Sequence, residues 1–135
     1  MTPVDQRVID PGVGDCMTAC IASLLDLPYE AVPRFREIQN LGEEGWWTIY
    51  WRFLKKEGYD FVGTFSNSGD PIIDFSELSQ RCKGVNGFYM AVGPSPRYNC
   101  SHAIIIDAQG HCAHDPHPSR LGLPVIDHVD MVRLL

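Results

Sequence analysis

The sequence of 135 residues lacks any apolar run close to the roughly 18 residues that a membrane-spanning helix needs. Its first residues, MTPVDQRVIDPG, also lack the basic start and apolar stretch of a secretory signal peptide. Lysine is scarce, with three in the chain, and the formal net charge is −6. Such an acidic balance argues against a surface that neutralises nucleic-acid phosphates. We therefore expect a cytoplasmic protein that binds neither membranes nor nucleic acids.

Internal repeats and low-complexity tracts are also missing, and the chain has an odd number of cysteines, five. The composition, 44% hydrophobic and 21% charged residues, is that of an ordinary globular protein. A chain of this length buries roughly two-thirds of its unfolded surface, so it can fold without disulfide bonds. We expect one domain spanning residues 1–135, with reduced thiols.

Three helices are predicted, in the first two-thirds of the chain. An irregular opening ends at Asp15, a favourable N-cap residue, so a helix should begin near Cys16 and end before Pro28. A second helix is predicted from Gly45 to Glu57, and a short third one from Phe75 to Cys82. The second helix has an aromatic face at helical spacing, formed by Trp47, Tyr50, Trp51 and Leu54. We expect its tryptophans to pack in the core, the alternative being an aromatic site for a ligand.

Strand-like segments dominate the last third of the chain and are divided by turn residues. They are Gly87–Val92, His102–Asp107 and His111–Asp115, preceded by a further candidate at Tyr59–Phe65 and a loop at Ser66–Pro71. The final segment, VIDHVDMVRLL, is predicted as an edge strand rather than a short helix. Helices followed by an antiparallel sheet indicate the α+β class.

Cys16 is the candidate nucleophile, because it follows Gly14 and Asp15 at the predicted start of the first helix. The positive end of a helix and a neighbouring imidazolium both stabilise a thiolate, which is the reactive form of cysteine. Cys20, one turn further along, is expected to be buried and inert. Spacing alone leaves the alternative open that Cys16 is a small buried residue without a chemical role.

A general base and a residue to orient it are predicted in the second half, where His102 opens an apolar strand and Asp115 ends the next one. A two-residue loop between Asp107 and Gly110 would put the two residues opposite each other, with Cβ atoms roughly 4.5–5.5 Å apart. A type I turn with Gly110 in a bulge would shift the register by one and require a second irregularity, for example at Pro116. In either case Asp115 would orient His102 and stabilise its cation.

Acyl transfer also needs donors for an oxyanion and contacts for the substrate. The backbone N–H of Cys16 is one donor, and Gln6 is a candidate for a second, the alternative being a solvated surface amide. The loop GPSPRYNCSH borders the predicted cleft and offers Ser95 and Arg97 as substrate contacts, although Arg97 could equally serve a structural salt bridge. His117 is expected to be structural or exposed.

A competing interpretation is a zinc module, because residues 100–117 are rich in soft ligands: Cys100, His102, His111, Cys112, His114 and His117. The spacing does not fit paired zinc knuckles. Along a strand, His111 and Asp115 share one face while Cys112 and His114 share the other, so the cluster would be divided.

Three blocks of the sequence, GDCMTACIASLLDLPYEAVPRF, GFYMAVGPSPRYNCSHAIIID and HDPHPSRLGL, resemble a family of small bacterial and phage-encoded proteins with a papain-like cysteine protease fold. The family is similar to the double-glycine bacteriocin-processing peptidases, which carry Cys, His and Asp in the same order after a glutamine. The resemblance implies Cys16 as nucleophile, His102 as base, Asp115 as orienting residue and Gln6 as oxyanion donor. In this sequence Met17 stands where the peptidases have glycine.

These observations together predict a papain-like α+β domain with N-terminal helices packed on a C-terminal antiparallel sheet. The expected activity is a cysteine hydrolase that cleaves an amide or peptide bond through a thioester, without a cofactor. Its partner would be a peptide or protein substrate, and phage encoding would fit a host protein in that role. A non-catalytic binding or inhibitor protein on the same fold remains the second alternative.

Overall fold

The computed structural model of the chain describes residues 1–9, 14–35, 45–66 and 73–135, without the side chain of Trp46. Its helices are α1 (Cys16–Leu24), α2 (Trp46–Lys56) and α3 (Phe75–Arg81), and a 3₁₀ turn covers Tyr29–Ala31. Its strands are β1 (Tyr59–Phe65), β2 (Tyr89–Pro94), β3 (Ser101–Ile106), β4 (Cys112–His114) and β5 (His128–Leu134). The loop predicted at Ser66–Pro71 lies outside the described residues except for Ser66.

α1 ends at Leu24, four residues before the predicted stop at Pro28. Asp26 adopts a left-handed backbone conformation with φ of 56°, which ends the helical path. The N–H of Leu27 then donates to the carbonyl of Ala22 at 2.9 Å, closing the C-terminus of the helix.

The five strands form one antiparallel sheet in the order β1-β5-β2-β3-β4. The prediction that the C-terminal segment is a strand is confirmed, but its predicted edge position is wrong. β5 lies between β1 and β2, and its residues Val129 and Val132 are almost completely buried. The two edge strands are β4 and β1, and β1 comes from the first half of the chain.

Helices cover both faces of the sheet, which gives an α+β protein with two hydrophobic clusters. α1 and α2 pack on one face, where the buried cluster includes Ile21, Leu24, Tyr50, Leu54, Met90, Ala103, Ile105 and Val132. α3 packs on the other face, where the cluster includes Leu78, Tyr89, Ala91, Ile104, Ile106 and Val129. Among the described residues, no helix has the length and apolar character needed to cross a membrane. All five cysteines lie in the described part of the chain, and each is free.

The register of the β3–β4 hairpin follows the second predicted alternative rather than the two-residue loop. The N–H of Asp107 donates to the carbonyl of His111 at 2.9 Å, and Gly110 adopts φ of 86° in the turn. The register then shifts again, because Ile106 pairs with Cys112 whereas Ile105 pairs with His114. The second irregularity therefore lies within β4, just before Asp115, and not at Pro116.

The aromatic face of α2 is rotated relative to the prediction. Tyr50 and Leu54 are fully buried as expected, but the third buried residue is Phe53. Trp47 and Trp51 are 41% and 48% exposed, so the predicted core packing is wrong for both. The physical reason is that Tyr50, Phe53 and Leu54, at the i, i+3, i+4 spacing, form the buried face of the helix, and Ile49 packs beside them.

Residues 1–9 run as an extended segment beside α1 and the end of β4. The N–H of Val4 donates to Ser23 Oγ on α1 at 2.9 Å, and the carbonyl of Val4 lies 3.0 Å from His114 Nε2. The N–H of Gln6 donates to the carbonyl of Pro116 at 3.1 Å. This segment therefore connects the helical half of the molecule to the loop that follows β4.

Candidate active site

A cleft of about 320 Å³ lies between the beginning of α1 and the sheet. Cys16 and His102 line it together, so the structure brings the predicted nucleophile and base to the same cavity. Its apolar wall includes Phe35, Trp47, Met90 and Val92. Three further polar residues, Ser101, His128 and Asp130, also line it. A cavity of this size, with apolar walls and a few polar groups, is typical of a small-ligand site.

Cys16 is the first residue of α1 and is partly exposed. The N–H groups of the first helical turn have no partner within the helix, so they are available to an anion in front of it. Cys20, by contrast, is completely buried, and burial raises the pKa of its thiol well above the ordinary value. The prediction that Cys20 is a buried, inert cysteine is therefore confirmed as far as its burial is concerned.

Asp15 occupies the N-cap position, but its side chain does not cap the helix. The buried carboxylate accepts hydrogen bonds from the N–H groups of Arg7 and Val8 at 3.0–3.1 Å, and from the hydroxyl of Tyr29. Burial and the hydrogen bond to Asp15 raise the pKa of Tyr29 to about 12. Asp15 thus holds the start of α1 against the N-terminal segment, which fixes the position of the neighbouring Cys16.

His102 Nε2 lies 2.7 Å from Asp115 Oδ1, and both side chains are at least 95% buried. Burial alone lowers the pKa of His102. The hydrogen bonds to Asp115 and Cys16, together with the negative charges of both residues, outweigh that effect and raise the pKa to about 9. His102 is therefore an imidazolium at neutral pH, bonded to the carboxylate of Asp115 and lining the same cleft as Cys16.

Asp115 is held in turn by the loop that follows it. Its carboxylate accepts hydrogen bonds from the N–H of His117 at 3.0 Å and from the N–H of Gly122 at 2.7 Å. Burial raises the pKa of Asp115, but the hydrogen bonds from His102 and these two backbone groups outweigh it, and the pKa lies below its ordinary value. The carboxylate is thus ionised and oriented before any ligand arrives.

The predicted oxyanion donor Gln6 lies near this loop but does not line the cleft. Its Nε2 donates to the carbonyl of Val8 at 2.8 Å, and its Oε1 is buried without a hydrogen-bond partner among the described residues. An oxyanion role would require the amide to leave Val8. The role of Gln6 stays a prediction.

Ser95 and Arg97, the predicted substrate contacts, both form hydrogen bonds with other residues of the protein. Ser95 Oγ accepts hydrogen bonds from the N–H groups of Arg97 and Tyr98 at 3.2 and 3.3 Å, which makes the loop rigid. Arg97 Nη1 donates to Ser119 Oγ at 2.8 Å and so connects this loop to the one that holds Asp115. Neither side chain lines the cleft, and their contacts with a substrate stay a prediction.

His117 is buried rather than exposed and packs beside the triad residues. Its ring meets that of His102 edge-on, with ring centroids 6.3 Å apart. Nδ1 accepts a hydrogen bond from the N–H of Ser119 at 3.0 Å. Burial and the positive charge of Arg97 lower the pKa of His117, so it is neutral beside the His102 cation.

The zinc interpretation finds no matching geometry in the described part of the chain, where no group of three or more His, Cys, Asp or Glu side chains could hold a metal ion. His102 pairs with Asp115, His114 lies against the carbonyl of Val4, and Cys112 is exposed. The register shift between Cys112 and His114 interrupts the strand alternation from which the division of the cluster was predicted.

Three polar residues of the cleft were not predicted as site residues: Ser101 at the start of β3, and His128 and Asp130 on β5. Asp130 is 4% exposed, and its Oδ2 accepts a hydrogen bond from the hydroxyl of Tyr50 at 3.0 Å. The only sequence signal was a charged residue at an alternating position of an otherwise apolar strand, VDMV. That signal indicates an inward-facing carboxylate only once β5 is known to be an interior strand.

The chain matches no protein-family model, no curated protein and no solved structure. The arguments about its function therefore come from the geometry of this cleft.

Proposed function

We propose that this protein is a cysteine hydrolase that cleaves an amide bond with a triad of Cys16, His102 and Asp115. The observation that carries the proposal is the buried pair of His102 and Asp115, 2.7 Å apart, whose imidazole lines the same cleft as Cys16. A structural histidine needs no thiol on its other side and no helix N-terminus in front of it. The combination is the one that an activated thiolate requires.

The reaction would proceed in two steps through a thioester. The Cys16 thiolate attacks the amide carbonyl, a C–S bond forms, and the oxyanion lies near the N–H of Cys16 at the start of α1. His102 gives its proton to the leaving amine as the C–N bond breaks. Neutral His102 then takes a proton from water, which attacks the thioester and releases a carboxylic acid. The C–S bond breaks as the acid leaves, which restores the thiolate of Cys16 beside the imidazolium of His102.

Asp115 is a positioning residue in this mechanism. Its carboxylate accepts from His102 Nε2, so the other ring nitrogen, Nδ1, is the one available to Cys16. The charge of Asp115 also stabilises the imidazolium that persists until the amine leaves.

A papain-like arrangement of the α+β fold is part of the same proposal. It is supported by the nucleophile at the start of a helix that packs on the sheet, and by the base and the orienting residue at the end of a β-hairpin. In the same proposal, the substrate is a peptide or protein, and a host protein would suit a phage-encoded member of such a family.

The test is brief labelling with substoichiometric iodoacetamide across pH 5 to 9, followed by mass spectrometry of each cysteine. Cys16 is expected to react faster than Cys112, although Cys112 is the more exposed thiol. The advantage should disappear in His102→Gln, because the thiolate loses its cationic partner. Cys112 serves as the internal control for access and reagent quality.

Equal or slower labelling of Cys16 would overturn the hydrolase proposal and favour the non-catalytic binding protein. A rapid Cys16 that is unaffected by His102→Gln would remove His102 from the mechanism. Circular dichroism of the variant checks that the fold has survived the change.

A further inference from the structure

Asp130 is a buried carboxylate of the cleft that the proposed triad does not use. It lies in the middle of β5, opposite Met90 on β2, and its side chain is 4% exposed. Oδ2 accepts the hydrogen bond from Tyr50, but Oδ1 has no hydrogen-bond partner among the described residues. A buried carboxylate with one unsatisfied oxygen is energetically unfavourable unless a donor binds there.

The histidine beside Asp130 does not satisfy that oxygen. His128 Nε2 lies 3.8 Å from Asp130 Oδ1, which is beyond hydrogen-bonding distance. If Asp130 only anchored α2 through Tyr50, a single acceptor atom would serve, and an uncharged amide or hydroxyl would avoid the desolvation of a charge. The second oxygen is therefore available to a ligand in the cleft.

The aromatic residues that line the cleft with Asp130 favour the binding of a cationic side chain. Phe35 and Trp47 line the same cleft, and aromatic faces favour cations that are removed from water. Burial raises the pKa of Asp130 to about 6, although the hydrogen bond from Tyr50 and the charge of His128 oppose it, so the carboxylate is ionised at pH 7 and above. The net charge of −6 attracts cationic ligands towards the molecule as a whole.

Asp130 lies two strands away from His102 in the sheet. His102 on β3 pairs with Gly93 on β2, whereas Asp130 on β5 pairs with Met90, so the two residues are also offset by three residues along the strands. Two strand spacings and three residues put their Cα atoms roughly 14 Å apart. Both residues line the cleft, so a substrate whose carbonyl lies at Cys16 would need a long, extended side chain to reach Asp130.

We propose that Asp130 binds a positively charged guanidinium or ammonium group of the substrate, so that the cleft selects an arginine or lysine side chain next to the bond that is cleaved. This inference rests on the proposed function for the position of the cleaved bond. The binding itself depends only on the cleft, and it can therefore be measured without the thiol.

The test compares N-acetylarginine amide with N-acetylcitrulline amide, its uncharged isostere, in nuclear magnetic resonance titrations of the full-length Cys16→Ala protein. We expect the arginine compound to bind at least about tenfold more tightly, with shifts at the indole of Trp47. Asp130→Asn should abolish the difference, because the amide still accepts from Tyr50 but presents a donor to the cleft. Asp127→Asn makes the same change in net charge at an exposed site outside the cleft, and it should leave the preference intact.

Equal affinities, no detectable binding of either compound, or a preference that survives Asp130→Asn would overturn the inference. The comparison of the two ligands on the Cys16→Ala protein does not depend on whether the Asp130→Asn variant folds. Rapid labelling of Cys16 without an arginine preference would overturn the cation site and leave the hydrolase standing. An arginine preference with an unreactive Cys16 would overturn the hydrolase and leave the cation site standing.

Discussion

His102 shows how neighbours can reverse the effect of burial on a titrating side chain. An imidazole surrounded by protein is expected to favour its neutral form, because the cation loses its hydration. Here Asp115 on one side and Cys16 on the other compensate that loss, and the pKa rises to about 9. The raised value depends on both partners, which makes it a measurable signature of the arrangement and not of either contact alone.

We therefore predict that Cys16→Ala lowers the pKa of His102, measured by the pH dependence of its imidazole resonances. The change removes a hydrogen bond and a negative charge that both favour the cation. Cys112→Ala removes an exposed thiol from the same hairpin and should leave the His102 titration where it is in the parent protein. An unchanged His102 pKa in Cys16→Ala would contradict the proposed contact.

The same titration has a consequence for stability. The pKa of His102 is higher in the folded state than the ordinary value of 6.5, so its contribution to the free energy of unfolding is complete below about pH 6.5 and is lost as pH rises through about 9. Its upper limit is about 3 kcal/mol, from the size of the shift. Urea unfolding of parent and Cys16→Ala across this range should show a smaller loss in the variant.

At the scale of elements, the turn of the β3–β4 hairpin affects the positions of His102 and Asp115 at its open end. Gly110 adopts φ of 86°, and a Cβ at this position would lie 2.4 Å from ring atoms of Phe75 on α3. The turn therefore packs directly on α3, the helix on the face of the sheet opposite to α1 and α2. A side chain at Gly110 would push the hairpin away from α3, and Asp115 lies only a few residues beyond it.

Gly110→Ala should destabilise the protein more than Gly87→Ala, in urea unfolding at neutral pH. Both glycines have similar φ values, 86° and 83°, but a Cβ at Gly87 would meet nothing within 4 Å. The backbone strain is thus shared, at about 1–2 kcal/mol, and the clash with Phe75 adds roughly 1–3 kcal/mol at Gly110 alone. Equal losses in the two variants would show that Phe75 moves aside at no cost.

Different faces of α2 have different surroundings. Tyr50 and Leu54 face the sheet, whereas Trp47 lies at the rim of the cleft with its ring 4.8 Å from Phe61 and 5.9 Å from Tyr50. Trp51 points towards solvent, where Lys55 lies 5.6 Å from its ring. The two tryptophans are similarly exposed, so exposure alone does not distinguish the one at the cleft.

We predict that Trp47→Ala weakens binding of the arginine compound severalfold and lowers the free energy of unfolding by roughly 1–2 kcal/mol, because it loses two aromatic contacts. Trp51→Ala should change binding little and stability by at most about 0.5–1 kcal/mol, its exposed cation–π contact. Titration and urea unfolding of both variants provide the measurement. Equal effects on binding would place the ligand elsewhere.

At the scale of the whole molecule, local patterns predicted the elements better than their arrangement. Helical spacing and caps are local properties, so α1 to α3 and the five strands were predicted near their observed bounds. The interior position of β5 was not, because pairing between β1 and β5 joins the two halves of the chain and leaves no local signal. The same long-range pairing brings Asp130 into the cleft, which explains why the triad was predicted as a set but Asp130 was missed.

The two halves are also joined at the surface, by an ion pair between Asp5 and Arg120. Arg120 Nη1 and Nη2 lie 2.6 and 2.7 Å from the two carboxylate oxygens of Asp5, and Nη1 also donates to the carbonyl of Asp115. The hydrogen bond and charge of Arg120 hold the pKa of Asp5 below its ordinary value of 3.8. The N-terminal segment is thereby connected to the loop that orients the triad.

A double-mutant cycle of Asp5→Asn and Arg120→Gln should give a coupling free energy of about 0.5–1 kcal/mol at neutral pH and low salt, the range for a bidentate but half-exposed pair. The coupling depends on the ionised carboxylate, so it should be present above about pH 4 and be lost as pH falls through the lowered pKa of Asp5. High salt should reduce it by screening. Urea unfolding of the four proteins measures these values. A coupling close to zero at neutral pH and low salt would indicate that Arg120 acts through the carbonyl of Asp115 and not through Asp5.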